Sequence, residues 1–256
     1  MKFEKWQALG NDYLIVENTE LSPERVRALC DRHRGPGADG VLELGPPAGD
    51  GAVARLRIFN PDGSEAELSG NGVRQAVLYL RRAGWTDADT FAVETAAGVI
   101  RPTITGPETA RVDMGVATDH GTGEIDAGGR TFGYRQLDVG NPQCAIEADD
   151  VEALDVAAIG PEIERAPRFP NRTNVSFWRE LEPGTVRARI FERGVGETLA
   201  SGTGATGAAI AYVIGGGASP VTVRLDGGEL AVDVGEDLRV HLTGWARPVY
   251  RGELIG

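Results

Sequence analysis

The sequence predicts an α+β protein of two pseudo-symmetric lobes, each a curved, mostly antiparallel sheet around a central helix. The first observation behind this prediction is an internal repeat. Residues 57–80 (RIFNPDGSEAELSGNGVRQAVLYL) align without a gap with residues 189–212 (RIFERGVGETLASGTGATGAAIAY), displaced by 132 positions. The second is a pair of Gly-Asn dipeptides at 10 and 140, displaced by 130. The third is that each half combines a helical apolar stripe with alternating apolar and polar runs.

The N-terminal half is expected to begin with strands at 3–8 and 13–17, followed by a helix. Ser22 is placed to cap this helix, Pro23 suits its first position, and its apolar stripe runs to His33. A Gly-rich turn then leads to a short strand, and the first copy of the repeat adds a strand and a helix. The spacing of its apolar residues predicts one buried face on this helix, formed by Val73, Ala76, Val77 and Leu80. Two further strands are expected around 90–94 and at 99–104.

The C-terminal half is expected to repeat this plan. An acidic helix is predicted to start near Asp149-Asp150, because carboxylates are favourable near the positive end of a helix dipole. The second copy of the repeat supplies a helix at 205–214 that is apolar nearly all round, which is typical of an enclosed helix. Three antiparallel strands follow, predicted at 221–223, 230–234 and 238–242.

These elements predict two lobes of similar size. The N-terminal lobe is expected to contain residues 1–112 plus about 245–256, and the C-terminal lobe residues 113–244. Each lobe contributes one copy of the repeated motif, so the ligand site is expected in the cleft between them.

Composition and charge exclude several classes of function. With 41% hydrophobic and 25% charged residues, the chain of 256 residues has the composition of a soluble globular protein. A net charge of −12 argues against nucleic acid as a partner, because binding phosphate backbones needs clustered basic residues. No apolar run reaches the length of a membrane helix, and the N-terminus lacks a signal-peptide pattern. No membrane partner and a cytoplasmic location are therefore expected.

Neither a cofactor nor a metal is predicted. The only lysines are Lys2 and Lys5, at the N-terminus, so an internal Schiff-base lysine and a pyridoxal-dependent mechanism are not expected. The two cysteines, Cys30 and Cys144, form no metal-ligand spacing, and a buried position is expected for Cys30.

Both repeated helices begin directly after Ser-Gly-x-Gly, which places Ser69 and Ser201 at their N-caps. Glycines there expose backbone N–H groups, and the helix dipole favours an anion such as a carboxylate. Serine is also favoured at an N-cap for stability alone, at about 1 kcal/mol, so a purely structural role stays open. Glu65 and Glu197, four residues before each serine, are either candidate bases or acceptors for loop amides.

The segments LGNDYLIVE, LCDRHRGPGADGVLEL, FNPDGSEAELSGNGVR, VGNPQC, PNRTNVSF and ERGVGETLASGTGA resemble those of the diaminopimelate epimerase family, the pyridoxal-independent amino-acid racemases and epimerases. The resemblance covers nearly the whole chain in order and spacing. It implies a cofactor-independent isomerase with a small-molecule amino-acid or carboxylate substrate, a place in lysine biosynthesis and a homodimer.

The resemblance also implies which residues hold the substrate. The groups matching those that hold its polar ends are Asn11, Asn60, Asn141, Asn174, Glu192 and Arg193. The helix starts that receive its α-carboxylate match Gly70, Asn71, Gly202 and Thr203.

The departures from the family pattern fall on the chemistry. The family has cysteines at the positions of Ser69 and Ser201, one thiolate acting as base and the other thiol as acid. The position after Asn141-Pro142 is usually histidine and is Gln143 here. A helix N-terminus can bring a thiol to thiolate but cannot ionise a serine hydroxyl, so serine needs an adjacent base. Glu192 is one candidate for that base.

Three hypotheses follow from these departures. The first is an epimerase-family protein whose thiol chemistry is disabled or rerouted, a case that includes deliberate replacement of cysteine by serine. The second is a divergent relative that catalyses another isomerisation, elimination or cyclisation of a carboxylate-bearing substrate, for example in secondary metabolism. The third is a non-catalytic amino-acid-binding protein.

Overall fold

The structure, a computed structural model, describes residues 1–67 and 69–255. Leu68, inside the first copy of the repeat, and Gly256, the end of the predicted N-terminal lobe, lie outside the described residues. The chain divides into two compact units, which we call unit 1 (Met1–Asp113 with Gly244–Gly256) and unit 2 (Met114–Thr243).

The described residues form a mixed α+β protein. Its helices are α1 (Pro23–Cys30), α2 (Gly70–Arg82), α3 (Val156–Glu164) and α4 (Gly202–Ile214). Strands β1 to β9 are Lys2–Ala8, Asn11–Glu17, Gly40–Gly45, Ala52–Phe59, Glu65–Ala66, Ala92–Thr95, Gly98–Ile100, Thr103–Gly106 and Thr109–Val116. Strands β10 to β19 are Thr118–Ala127, Arg130–Asp138, Pro142–Glu147, Asn174–Glu182, Thr185–Glu192, Gly196–Thr198, Val221–Leu225, Gly228–Val234, Arg239–Trp245 and Arg247–Glu253.

The sheet of unit 1 has the strand order β19-β1-β2-β3-β4-β6-β7, with β5 paired to β4. The pairs β2–β3 and β4–β6 are parallel, whereas its other described pairs are antiparallel. A parallel pair needs a crossover connection. Helix α1 lies in the crossover from β2 to β3, and α2 lies in the crossover from β4 to β6.

Unit 2 repeats this plan, with the order β10-β11-β12-β13-β14-β16-β17-β18 and β15 paired to β14. Its pairs β12–β13 and β14–β16 are parallel, its other described pairs are antiparallel, and α3 and α4 lie in the two crossovers. The repeat seen in the sequence therefore extends to the topology, and the predicted α+β class with internal duplication is confirmed.

Each repeated helix is enclosed by the sheet of its own unit. The predicted stripe of α2 is fully buried (Val73, Ala76, Val77 and Leu80), and α2 packs against β1, β2 and β3. Helix α4 packs against β12, β13, β14, β16 and β17. Its small residues permit this approach, since a Cβ added at Gly204 would lie 2.6 Å from Cγ2 of Ile190. Within the described ranges, no helix is long and apolar enough to cross a membrane.

Helix α1 is shorter than predicted. It ends at Cys30, because the carboxylate of Asp31 accepts hydrogen bonds from the backbone N–H groups of His33 (2.8 Å) and Arg34 (3.0 Å) and so turns the chain. His33 is exposed beyond the helix and does not extend its apolar stripe.

Helix α3 begins later than predicted. The carboxylate of Asp150 accepts the amides of Glu152 and Ala153 and forms a turn, and Asp155 caps the helix by accepting the amide of Ala158 at 3.1 Å. The predicted strand 99–104 is likewise divided into β7 and β8, which Arg101-Pro102 separates. Both differences follow from short side chains or proline acting on the local backbone.

Candidate functional site

Both Gly-Asn pairs lie where the chain reverses, with the glycine in a left-handed conformation. Gly10 (φ 86°) precedes Asn11 at the start of β2, and Gly140 (φ 90°) precedes Asn141, next to the start of β12. Glycine adopts these left-handed conformations without the steric penalty of a Cβ. The repeated glycine thus fixes the position at which each asparagine follows the turn.

The amide side chains of Asn11 and Asn60 are held by neighbours in unit 1. The Nδ2 atom of Asn11 donates to the carboxylate of Asp39 at 3.2 Å, and its backbone carbonyl accepts from Gln75 of α2 at 3.1 Å. The Nδ2 atom of Asn60 donates to the hydroxyl of Ser64 at 3.0 Å in the turn after β4. Asn11 is therefore tied to the repeated helix, whereas Asn60 is held locally.

Ser69 is the N-cap of α2, as predicted. Its backbone is extended (φ −142°, ψ 118°), and its Oγ accepts the N–H of Gly72 at 3.1 Å. The hydroxyl of Tyr13 donates to the same Oγ at 3.3 Å. This hydroxyl oxygen therefore acts as an acceptor toward both the helix amide and the phenol.

Ser201 is the N-cap of α4 in the same conformation (φ −132°, ψ 122°), and its Oγ accepts the N–H of Gly204 at 3.2 Å. It is almost fully buried, with 2% of its surface exposed. The two serines are thus equivalent in backbone and capping bond, but Ser201 is the more enclosed.

Glu65 and Glu197 form duplicated ion pairs within the repeat. Arg57 donates to Glu65 at 2.8 and 3.1 Å, and Arg189 donates to Glu197 at 2.6 and 2.9 Å. Each pair joins the two strands of a short hairpin, β4–β5 or β14–β15. Both carboxylates are engaged by a guanidinium, so this geometry favours the structural role over the catalytic one.

The first turn of α2 is held from inside the helix by Arg74. Its guanidinium donates to the carbonyl of Gly70 at 3.1 Å and to Oδ1 of Asn71 at 2.6 Å. At the equivalent position of α4, the hydroxyl of Thr206 donates to the carbonyl of Gly202 at 2.9 Å. The first residue of each helix is therefore held by a hydrogen bond from a side chain one turn later in the same helix. The donor is a cation in unit 1 and a neutral hydroxyl in unit 2.

In unit 2 the structure brings Asn141 and Thr203 together. The Nδ2 atom of Asn141 lies 3.4 Å from the hydroxyl of Thr203, and its Oδ1 accepts from Nε2 of Gln143 at 2.6 Å. Gln143 is fully buried, and its Oε1 has no hydrogen-bond partner among the described residues. Asn141 is thereby oriented beside the start of α4.

Asn174 and Arg193 are also in contact. Asn174 is buried, its Nδ2 donates to the carbonyl of Pro142 at 3.0 Å, and its Oδ1 accepts the backbone N–H of Arg193 at 2.9 Å. The guanidinium of Arg193 donates to the carbonyl of Asn171 at 3.0 Å. Asn174 therefore supports the loop that carries Arg193.

A second support for this loop comes from Glu164, a buried carboxylate at the end of α3. Its Oε1 accepts the N–H of Gly194 at 2.7 Å and also pairs with Arg172, and its Oε2 lies 3.3 Å from Arg165. Two successive backbone amides, at 193 and 194, are thus held by two buried acceptors. Glu192, the last residue of β14, precedes this loop, and its carbonyl accepts the N–H of Val195 at 3.1 Å.

Both cysteines are buried and poorly suited to act as thiolates. Burial raises the pKa of Cys30 to about 11, with the negative charges of Asp12 and Asp39 adding to the effect. Burial alone raises the pKa of Cys144 far above its usual range. Among the described residues, no group of three His, Cys, Asp or Glu side chains is arranged to hold a metal ion.

Three contacts were not predicted from the sequence: Tyr13 on Ser69, Arg74 on the first turn of α2, and Glu164 on the Arg193 loop. Tyr13 occupies the place that Gln143 has in the second Gly-Asn segment, so the repeat itself carried a signal for it. Arg74 and Glu164 are charged residues inside otherwise apolar helical faces, which is the pattern of a buried polar contact.

A family model described as "Diaminopimelate epimerase" matches residues 3–119 and 136–248 of this chain. Curated relatives of that name are similar over nearly their whole length. The protein of Desulforudis audaxviator is 42% identical, covering 100% of this chain and 99% of its own. "Diaminopimelate epimerase 2" of a Nostoc species is 38% identical, covering 99% and 95%.

Solved structures share the fold at low sequence identity. A predicted epimerase from Pseudomonas aeruginosa has a TM-score of 0.77 at 18% identity, covering 100% of this chain and 99% of its own. A phenazine biosynthesis protein of the PhzF family from Bacillus anthracis has a TM-score of 0.78 at 16% identity, with the same coverage.

Proposed function

Because this chain belongs to the diaminopimelate epimerase family, a family of isomerases, we propose that it binds an amino acid or a closely related carboxylate without a cofactor. We propose further that Ser69 and Ser201 bind and orient this ligand, so that the two-base thiol chemistry of the family is disabled or rerouted. The observation that carries the proposal is the state of the two hydroxyls, each of which accepts the N–H of the third helical residue.

A side chain that accepts a proton from the ligand at these positions would have to be much more basic than a serine hydroxyl. The helix N-terminus stabilises a nearby negative charge by roughly 0.3 to 2 kcal/mol, about one pKa unit or less in most cases. That is enough to favour a thiolate but far too little to ionise an aliphatic hydroxyl. The bond from Tyr13 also directs a proton toward Ser69, which favours its use as a donor to a ligand.

The remaining cysteines do not replace the missing thiols. Both are buried, and burial raises the pKa of each. Glu65 and Glu197 are each engaged in an ion pair with an arginine of the same hairpin, which favours a structural role for both. These features support ligand binding over rapid exchange of an α-hydrogen.

The groups proposed to hold the ligand are supported by their positions in each unit. The helix starts offer backbone N–H groups to a carboxylate, as small anions prefer. The amide side chains and Arg193 can hold the remaining polar groups of an amino acid. The proposed set is Asn11, Asn60, Gly70, Asn71, Asn141, Asn174, Glu192, Arg193, Gly202 and Thr203.

Two measurements test this function. Calorimetric titration with the stereoisomers of diaminopimelate and a panel of amino acids is expected to detect binding. Proton NMR in heavy water is expected to show little α-hydrogen exchange for the unsubstituted chain and clear exchange for a Ser69→Cys/Ser201→Cys variant. Ser69→Ala/Ser201→Ala serves as the matched control, since it removes the hydroxyls without adding a thiol.

Each outcome separates the hypotheses. Rapid exchange by the unsubstituted chain would contradict the proposed role of the serines. Absence of both binding and exchange, in the unsubstituted chain and in the cysteine variant, would contradict the amino-acid ligand itself. Conversion of a bound carboxylate to a new product without α-hydrogen exchange would identify a rerouted isomerisation, elimination or cyclisation.

A further inference from the structure

Arg74 is a buried cation without an acidic partner. Its side chain has no exposed surface, and no carboxylate of the described residues forms an ion pair with it. Two of its nitrogens donate to Gly70 and Asn71, whereas its Nε has no hydrogen-bond partner among the described residues. Burial lowers the pKa of Arg74 to about 10, which still leaves the guanidinium charged at neutral pH.

Two features make the position of this charge unfavourable. A buried charge normally requires an opposite charge to compensate for its lost hydration. Arg74 also contacts the first two residues of α2, where the helix dipole already contributes about half a positive charge. The α2 N-terminus therefore concentrates positive charge that an anion would compensate.

The second unit provides an internal comparison. Thr206 makes the equivalent bond to the carbonyl of Gly202 with a neutral hydroxyl. A hydrogen bond at this place thus holds the first helical turn without any charge. The charge of Arg74 is additional to that structural task.

We propose that Arg74 is a positioning residue. Because of it, the first turn of α2 binds the negative charge of a carboxylate ligand more strongly than the first turn of α4 does. It acts through its bond to the carbonyl of Gly70, which polarises the peptide group that carries the N–H of Asn71, and through the unbalanced charge itself. This inference rests on the proposed function only in taking a carboxylate as the ligand. Its consequence is selectivity: the α2 end requires an anionic group, whereas the α4 end also accepts a neutral polar one.

Acetate is the probe that tests this inference independently of the natural ligand. Amide NMR signals of Gly70, Asn71 and Gly72 are followed while acetate replaces chloride at constant ionic strength, together with those of Gly202 and Gly204. The α2 amides are expected to respond at lower acetate concentrations than the α4 amides. Arg74→Gln, which keeps a hydrogen-bond donor but removes the charge, is expected to weaken acetate binding at α2 about tenfold, or about 1.4 kcal/mol.

Thr206→Val is the matched control, because it removes the equivalent hydrogen bond without changing charge. It is expected to leave acetate binding at α2 unchanged. The inference is overturned if Arg74→Gln binds acetate within about twofold of the unsubstituted chain. It is also overturned if, in the unsubstituted chain, the α4 amides respond first or neither helix responds. These last readouts do not depend on how well a variant folds.

The same design separates this inference from the proposed function. Acetate binding at α2 without any amino-acid binding would contradict the proposed function and support the role of Arg74. Amino-acid binding that is unaffected by Arg74→Gln, with no preference of acetate for α2, would do the reverse.

Discussion

Replacing Ser69 by cysteine is expected to create a thiol of lowered pKa at the N-terminus of α2. An unperturbed thiol has a pKa of about 8.5, and a helix N-terminus stabilises its thiolate by about 0.3 to 2 kcal/mol. The thiol of Ser69→Cys should therefore titrate between about 7 and about 8.3. The nearby charge of Arg74 favours the lower part of this interval, because it also stabilises a thiolate.

The thiols already present provide the internal reference. At pH 7.5 the new cysteine would be roughly 14 to 75% thiolate, whereas Cys30, with a pKa of about 11, would be on the order of 0.03% thiolate. Intrinsic nucleophilicity falls as thiol pKa falls, which reduces the expected advantage in alkylation to roughly 30-fold. The new thiol should thus react with iodoacetamide at least that much faster than Cys30.

The assay is the rate of iodoacetamide labelling as a function of pH, read by mass spectrometry of the labelled peptides. Ser22→Cys is the matched control, since Ser22 caps α1 through the same kind of bond to Arg25 but is exposed beside Glu24. Its midpoint is expected to lie above that of Ser69→Cys. A midpoint for Ser69→Cys at or above the control would refute the electrostatic reasoning.

Three further results are expected. Glu164→Ala should weaken ligand binding, because the Arg193 loop loses its support, and should lower the free energy of unfolding in urea by roughly 1–3 kcal/mol. Glu164→Gln should restore much of the binding and much of the stability. Unchanged ligand binding by the alanine variant would count against this positioning role. Gly204→Ala should destabilise the chain by about 1–3 kcal/mol, because its Cβ would lie 2.6 Å from a side-chain carbon of β14, whereas Gly133→Ala, with open space at that position, should cost less in the same measurement. Burial raises the pKa of Asp12, but hydrogen bonds from two basic side chains outweigh this effect and lower the pKa to about 2. Because the folded pKa lies below the ordinary value of about 3.9, the stability that this group contributes should be present above about pH 4 and lost toward pH 2. Asp12→Asn should flatten that part of the plot of unfolding free energy against pH.

Local signals predicted the repeated helices well. The glycines and serine of Ser-Gly-x-Gly define a helix start through local backbone geometry, and the structure places Ser69 and Ser201 at the predicted N-caps, where their hydroxyls accept the N–H groups of Gly72 and Gly204. The apolar stripe of α2 likewise predicted which face of the helix is buried, since residues that recur with a period of 3.6 lie on one side of a helix.

Boundaries that depend on competing side chains were predicted less well. Asp31 ends α1 early, because its carboxylate accepts backbone amides that a continuing helix would use, and α3 is capped by Asp155 rather than by Asp149 or Asp150. Sequence periodicity does not register which of two nearby acidic residues will cap a helix. That choice depends on how the connecting turn fits against its sheet.

The sequence by itself determined the duplicated α+β plan and the two serine-capped helix starts. These features are local or repeated, so they can be recognised from residue order. Only the tertiary structure decided which charges act on these helices: Glu65 and Glu197 are engaged by arginines, Glu164 supports the Arg193 loop, and Arg74 lies buried without an acidic partner among the described residues. The physical reason is that the energy of a charge depends on its burial and its neighbours, and folding sets both.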